Sequence, residues 1–245
     1  MDLNYAMRIY HEMNLPRECV VPYFLFIRLH LIKDSGFGHM KYKTDTNEET
    51  LRYYNTHADS FAQDTTEAKM TEIQDRFLAY LPPGSHILDL GCGTGRDSKL
   101  FRDRQYKVTA LDGSPELCKI AKTITGQEIL CMRYDEIQWV EAFEGIWACA
   151  SLLHIESDQL PYIMKKAIDA LKRGGIIYIS FKYGDFEGIQ NGRYYTNMTE
   201  EMLGDFLNLF PEMQALEQWV SDDVRPGREC EKWLNIICRK LRETI

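Results

Sequence analysis

The 245-residue chain has no Cys-x-x-Cys pair and no grouping of cysteine with histidine at metal-ligand spacing. Its seven cysteines are odd in number and scattered from Cys19 to Cys238. Neither a structural zinc site nor a disulfide framework is indicated, and reduced thiols in a cytoplasmic protein are the expectation. Long hydrophobic runs are missing too. The most apolar stretch, Cys19–Ile32, is interrupted by Pro22, Arg28 and His30, too short and too charged to span a bilayer and unlike a secretory signal. Positive charge is scarce: 37 acids stand against 29 Lys plus Arg, a net charge of −8 with no local basic cluster. Such a chain repels phosphate backbones, which excludes DNA and disfavours RNA as a partner. Repeats and low-complexity tracts are likewise lacking.

What is present is a globular composition, 44% apolar and 27% charged. It changes once, at Ser35-Gly36-Phe37-Gly38-His39. Residues 1–39 therefore read as an N-terminal arm and 40–245 as the main domain, with Met40 an alternative start. The apolar spacing predicts helices over about Asn47–Gln63 and Thr66–Leu81. Beyond Pro82-Pro83-Gly84 the chain alternates strand, turn and helix. Short β-branched or aromatic runs at His86–Leu90, Tyr106–Leu111, Glu128–Met132, Gly145–Ala150 and Gly175–Phe181 read as buried strands. Leu160, Ile163, Met164, Ala167, Ile168 and Leu171 share one face of a helix, with Ser157 as its N-cap and Gly174-Gly175 as its stop. Thr199 opens a further helix through Phe210, and Gln214–Ser221 and Lys232–Arg239 form two strands around Arg225-Pro226-Gly227.

Strands alternating with helices imply an α/β fold, a doubly wound, mostly parallel sheet covered on both faces. Ligands then bind at the carboxyl edge, in the loops that follow the strands. The first such loop is Asp89-Leu90-Gly91-Cys92-Gly93-Thr94-Gly95-Arg96-Asp97. Its alternate glycines allow a tight bend and leave bare backbone for a ligand beside a helix N-terminus. Arg96 stands where a dinucleotide fingerprint needs its third glycine, so the pyrophosphate reading weakens. The acid at Asp89 suits a cationic ligand instead. Asp112 closes the second strand, at the distance where a carboxylate binds ribose hydroxyls.

ILDLGCGTGRDS (Ile87–Ser98), VTALDGSPE (Val108–Glu116) and GIWACASLLHI (Gly145–Ile155) resemble successive motifs of class I S-adenosylmethionine-dependent methyltransferases. The resemblance implies a Rossmann-like sheet of about seven strands whose last strand is antiparallel, and S-adenosyl-L-methionine as cofactor. By position, Asp89, Gly91, Cys92, Gly93 and Gly95 would line the methionine half of that cofactor. Asp112 would hold the ribose with Gly113 and Ser114 beside it, Arg133 and Tyr134 would meet the adenine, and Ala150 would sit near the sulfonium. The acid usual at the adenine position is displaced to Asp135.

Methyl transfer needs an aligned nucleophile and, where that nucleophile carries a proton, a base. His154, four residues past the expected end of the fourth strand, is the candidate base, with helix capping or gap filling as the alternative. Tyr54 lies in YYNTHADSF, a segment similar to the lid of many small-molecule methyltransferases. Tyr183, Arg193 and Arg225 fall in loops at the same edge, and two arginines there would suit an anionic substrate. Cys149-Ala150-Ser151-Leu152 has neither the Asn-Pro-Pro-Tyr loop of base-amino methylation nor a Pro-Cys nucleophile, and no acid that would hold magnesium. The expectation is therefore methyl transfer to a small molecule without a metal. RNA (tRNA) methylation and cofactor binding without catalysis are the alternatives.

Overall fold

The computed structural model describes residues 45–228 and 230–242, so the arm over 1–39 and the alternative start at Met40 lie outside the described residues. Helices α1 (Asp45–Thr56), α2 (Ala58–Thr65) and α3 (Thr71–Leu78) precede the first strand. The single helix expected over 47–63 is broken at His57, whose backbone leaves the helical region (φ −114°, ψ 19°). The Tyr53 carbonyl accepts from both the His57 N–H and its ring Nδ1, each at 2.9 Å, and this local competition ends α1.

The chain then alternates β1 (His86–Leu90), α4 (Arg96–Asp103), β2 (Lys107–Asp112), α5 (Pro115–Thr125), β3 (Leu130–Cys131), β4 (Phe143–Ala148), α6 (Leu160–Ala170) and β5 (Leu171–Lys182). A hairpin, β6 (Glu187–Gln190) and β7 (Arg193–Thr196), separates β5 from α7 (Glu200–Leu207), and β8 (Met213–Asp222) and β9 (Lys232–Lys240) follow. The main sheet has seven strands in the order β3-β2-β1-β4-β5-β9-β8. β1 to β5 pair in parallel, while β9 runs antiparallel to both β5 and β8. The final strand is thus the reversed one.

Alternation along the strands divides the core between the two faces of the sheet. Ile146 and Ala148 of β4, with Ile177, Ile179 and Phe181 of β5, pack against Leu160, Ile163, Met164, Ala167 and Ile168 of α6. Trp147, Tyr178 and Ile237 point the other way, onto Ile73, Phe77 and Phe101 from α3 and α4. Trp147 stacks on Tyr178 with ring centres 4.2 Å apart.

Several boundaries differ from the sequence expectation. Gln159, not Ser157, precedes α6, because Ser157 is turned to Glu187, to which its N–H and hydroxyl donate at 2.9 and 3.0 Å. α6 stops at Ala170, ahead of Gly174-Gly175. Gly174, at φ +78°, instead lies among extra residues of β5, where pairing jumps from Phe143 with Leu171 to Gly145 with Ile176. The hairpin β6–β7, with β6 mostly exposed and β7 half-buried, turns at Asn191-Gly192 (φ 52° and 75°), a twist that closes two-residue hairpins. No helix among the described residues is long and apolar enough to cross a membrane.

Candidate active site

The glycine loop bends back at the end of β1. The Gly91 and Cys92 N–H groups both donate to the Leu111 carbonyl at 3.0 and 2.9 Å, which ties the loop to β2. Gly91 needs its missing side chain: at φ +80° a Cβ there would meet the Ser151 Cβ at 2.6 Å and also strike the Tyr134 hydroxyl. Gly93, at φ +55°, leaves its backbone bare opposite the Phe61 ring. Gly95 serves packing rather than the cavity. It precedes α4 at φ +80°, and a Cβ would stand 2.7 Å from Thr125 on α5.

Asp112, at the tip of β2, accepts from the Gly93 N–H at 2.9 Å and the Ser114 N–H at 2.8 Å. Burial pushes its carboxyl up to about 6 against those two hydrogen bonds. Each carboxylate oxygen keeps a lone pair, so vicinal hydroxyls can still dock there. Asp97 faces the same cavity but is fully engaged. It accepts from Arg96 through both oxygens at 2.8 Å, from Trp147 Nε1 at 2.9 Å and from Gln74 at 2.6 Å. Burial pushes this carboxyl up, but Arg96 and the other donors outweigh it and hold it below the ordinary range.

Across the cavity, α1, the turn Leu152–His154 and β7 bring three side chains together. Tyr54 Oη lies 2.8 Å from His154 Nε2, and His154 Nδ1 lies 2.6 Å from the Tyr194 carbonyl. A carbonyl only accepts, so the ring proton sits on Nδ1 and Nε2 accepts from the Tyr54 hydroxyl. Burial pushes His154 down to about 4, so the ring is neutral at pH 7. Burial raises the Tyr54 hydroxyl, opposed by the neighbouring Arg193 guanidinium. Arg193 itself is stacked among rings, its guanidinium carbon 4.5 Å from the centre of Tyr53, 5.3 Å from Tyr195 and 5.7 Å from Tyr54.

One cavity joins these two halves. Gly91, Cys92, Gly93, Asp112, Gly113, Arg133, Tyr134, Ala150, Tyr54, His154, Arg193 and Arg225 all line it. Ala150 takes φ +49°, an unusual backbone for a residue with a side chain, and its N–H donates to Ser180 Oγ at 2.8 Å. Other expected residues lie elsewhere. Asp89 is 2% exposed beneath the loop and accepts from Ser98 Oγ at 2.6 Å, so it braces α4 instead of facing a ligand. Burial and the nearby Asp97 push its carboxyl up. Ser114 is buried, caps α5 by accepting from the Leu117 N–H, and donates to Asn55 at 2.7 Å. Tyr183 points away on the exposed surface and donates to Glu200 at 2.8 Å. Arg225 lines the cavity but spends its charge on Asp223, through bonds at 2.9 and 2.5 Å. Phe61, at the end of the lid-like segment, Asp97, at the end of the glycine loop, and Tyr195 also line it, as does Trp233, which nothing in its local sequence marked. Among the described residues, no cluster of three or more His, Cys, Asp or Glu could hold a metal.

A family model described as a methyltransferase domain matches residues 87–175. The malonyl-[acyl-carrier protein] O-methyltransferase of Serratia marcescens is 29% identical over 121 residues, covering 48% of this chain and 47% of that protein. The ubiquinone biosynthesis O-methyltransferase of Xanthomonas campestris is 31% identical over 106 residues, 40% of this chain and 43% of its own length. The chain thus spans under half the length of these curated relatives. Among solved structures, Burkholderia thailandensis 1,6-didemethyltoxoflavin-N1-methyltransferase, with its substrate and S-adenosylhomocysteine bound, shares the fold. Its TM-score is 0.69 at 19% identity, over 83% of this chain and 92% of that one. A Haloferax volcanii putative methyltransferase in complex with the Trm112 activator gives 0.65 at 16% identity, over 80% and 99%. The strand order, the glycine loop and the match over 87–175 make this chain similar to class I S-adenosylmethionine-dependent methyltransferases.

The residues present fit that cofactor. Gly93 leaves an opening that a side chain would narrow, Asp112 keeps acceptors for two ribose hydroxyls, and the Tyr54 and Phe61 rings give a cationic sulfonium π-faces to lie against.

Proposed function

We propose that the domain over 40–245 transfers a methyl group to a small molecule, with Tyr54 and His154 managing the acceptor's proton. The cofactor, when bound, supplies an electrophilic methyl on a sulfonium with a good leaving group. The chain's own task is alignment and proton removal. Gly91 to Gly93 and Asp112 would hold the cofactor's backbone-facing and ribose parts, with Arg133 and Tyr134 at its base and Ala150 near the sulfur. An acceptor O–H or N–H standing against Tyr54 would pass its proton to Tyr54 Oη as the Tyr54 proton moves to His154 Nε2. Positive charge then rests on a ring whose Nδ1–H is already fixed by Tyr194. His154 is a weak base for this role, but it carries its lone pair at any physiological pH.

The observation that carries this reading is a neutral histidine of defined tautomer, bonded to a phenol, in the same cavity as the glycine loop. The net charge of −8 supports a small acceptor over a polynucleotide. The test is incubation of purified protein with methyl-labelled S-adenosylmethionine and a fractionated cell extract. Label in the low-molecular-weight fraction supports the reading. Label in RNA alone moves the activity to tRNA-type substrates, and no transfer to any fraction leaves a binding protein.

A further inference from the structure

We propose that Arg193 is the anion seat of the acceptor subsite, so that the substrate is a small organic acid carrying its acceptor hydroxyl or amine close to the carboxylate. This rests on the methyltransferase reading and names its substrate class.

The argument is one of charge balance inside the cavity. Every lining acid already has partners: Asp112 holds two backbone N–H groups, Asp97 holds Arg96, Asp223 holds Arg225 and Asp222 holds Lys232. The other lining cations are matched as well. Lys182 meets Glu231 at 2.7 Å, and Arg228 lies 3.7 Å from Glu231 and 3.8 Å from Asp64. Arg193 makes no ion pair among the described residues. Its Nε is shut off from solvent and has no hydrogen-bond partner. The guanidinium's hydrogen-bond partner is the neutral Tyr54 hydroxyl and no acid among the described residues answers its charge, which a bound carboxylate would do through paired hydrogen bonds.

The rings of Tyr53, Tyr54 and Tyr195 fix the guanidinium plane, so its donors are already ordered before a ligand arrives. A Cβ at Gly192 would stand 3.0 Å from the Tyr53 ring, so the glycine lets the β6–β7 turn lie against it. Arg193 also adjoins the Tyr54 hydroxyl that bonds His154. An acid anchored on Arg193 would therefore present a hydroxyl or amine one ring's width away, against Tyr54. The carboxylate would anchor; the neighbouring heteroatom would be methylated.

The experiment measures binding of matched acids and amides (benzoate with benzamide, 4-hydroxybenzoate with 4-hydroxybenzamide, lactate with lactamide) to the full chain saturated with S-adenosylhomocysteine. Wild-type protein is expected to bind at least one acid about tenfold or more tighter than its amide. Arg193→Gln should abolish that preference and Arg193→Lys should retain part of it, with S-adenosylhomocysteine affinity in both variants within about threefold of wild type, as a check on folding. Normal S-adenosylhomocysteine binding with no acid preferred overturns the proposal, as does a preference that survives Arg193→Gln. Absence of S-adenosylhomocysteine binding in the wild type would instead overturn the methyltransferase reading, and this inference with it.

Discussion

Asp112 carries two duties with one carboxylate: it fastens the glycine loop through Gly93 and the start of α5 through Ser114, and it keeps acceptor capacity toward the cavity. Replacing it by Asn removes charge from all of these bonds at once. Asp112→Asn is expected to weaken S-adenosylhomocysteine binding by about 2 kcal/mol, roughly 30-fold, by calorimetry. Because burial holds the carboxyl at about 6, and donors in the ligand favour its ionised form, wild-type affinity should climb as pH rises to about 6 and then level off. A flat profile between pH 5 and 7 would remove Asp112 from the ligand's path. Tyr54 gives the second residue-scale prediction. Tyr54→Phe keeps the ring beside Phe61, with centres 5.2 Å apart, but deletes the hydroxyl bonded to His154. Turnover of an identified acceptor should fall about 100-fold, the size of a lost proton-transfer partner. Turnover equal to wild type would assign the Tyr54–His154 bond to packing alone.

Between elements, the lid half of the cavity depends on α1 meeting the β6–β7 hairpin. Thr50 Oγ1 accepts from the Tyr194 N–H at 3.0 Å, and the carbonyl of that same Tyr194 fixes the His154 tautomer. Thr50→Val has nearly the same shape but takes the acceptor away from the part-buried Tyr194 N–H. It should cost about 1–3 kcal/mol in chemical denaturation and lower turnover more than S-adenosylhomocysteine affinity; an unchanged midpoint would show that this latch is not needed. This junction was also the least legible part of the chain. β1 is read residue for residue as His86–Leu90, because a five-residue apolar run before a glycine loop has few alternatives. The buried face of α6 follows equally well from its 3.6-residue spacing. Hairpin strands of four residues with mixed exposure carry no such period, so only their Asn191-Gly192 turn stood out. Arg193 and Tyr54 were each legible as single residues at the sheet edge. Their stacking joins positions 139 apart in the chain, and no local pattern encodes that. Asp89 misled for a physical reason: strand alternation beside a covering helix turns it inward to Ser98, while Asp112, at the strand tip, reaches the cavity.

For the whole molecule, the two halves of the site oppose each other as pH changes. His154 is held near 4 in the folded chain against about 6.5 unfolded, so the unfolded state binds more protons on acidification. Its contribution is present above about 6.5 and is lost as pH falls toward 4. Asp112 behaves in reverse: raised to about 6 from an unfolded value of about 3.9, it destabilises the fold at neutral pH, and that cost disappears as pH falls. Taking both from pH 7 to pH 5, the histidine costs about 2 kcal/mol and the aspartate returns about 1 kcal/mol, so the aspartate offsets roughly half of the loss in the wild type. Single variants should expose each side of the balance. Relative to wild type over the same pH step, His154→Gln should gain about 2 kcal/mol and Asp112→Asn should lose about 1 kcal/mol. In thermal melts these are shifts of about 4–8 °C and 2–4 °C in opposite directions. Equal pH slopes in all three proteins would mean that water reaches both groups freely, and a cavity open to that extent could neither hold a neutral histidine at low pH nor give Arg193 its desolvated surroundings.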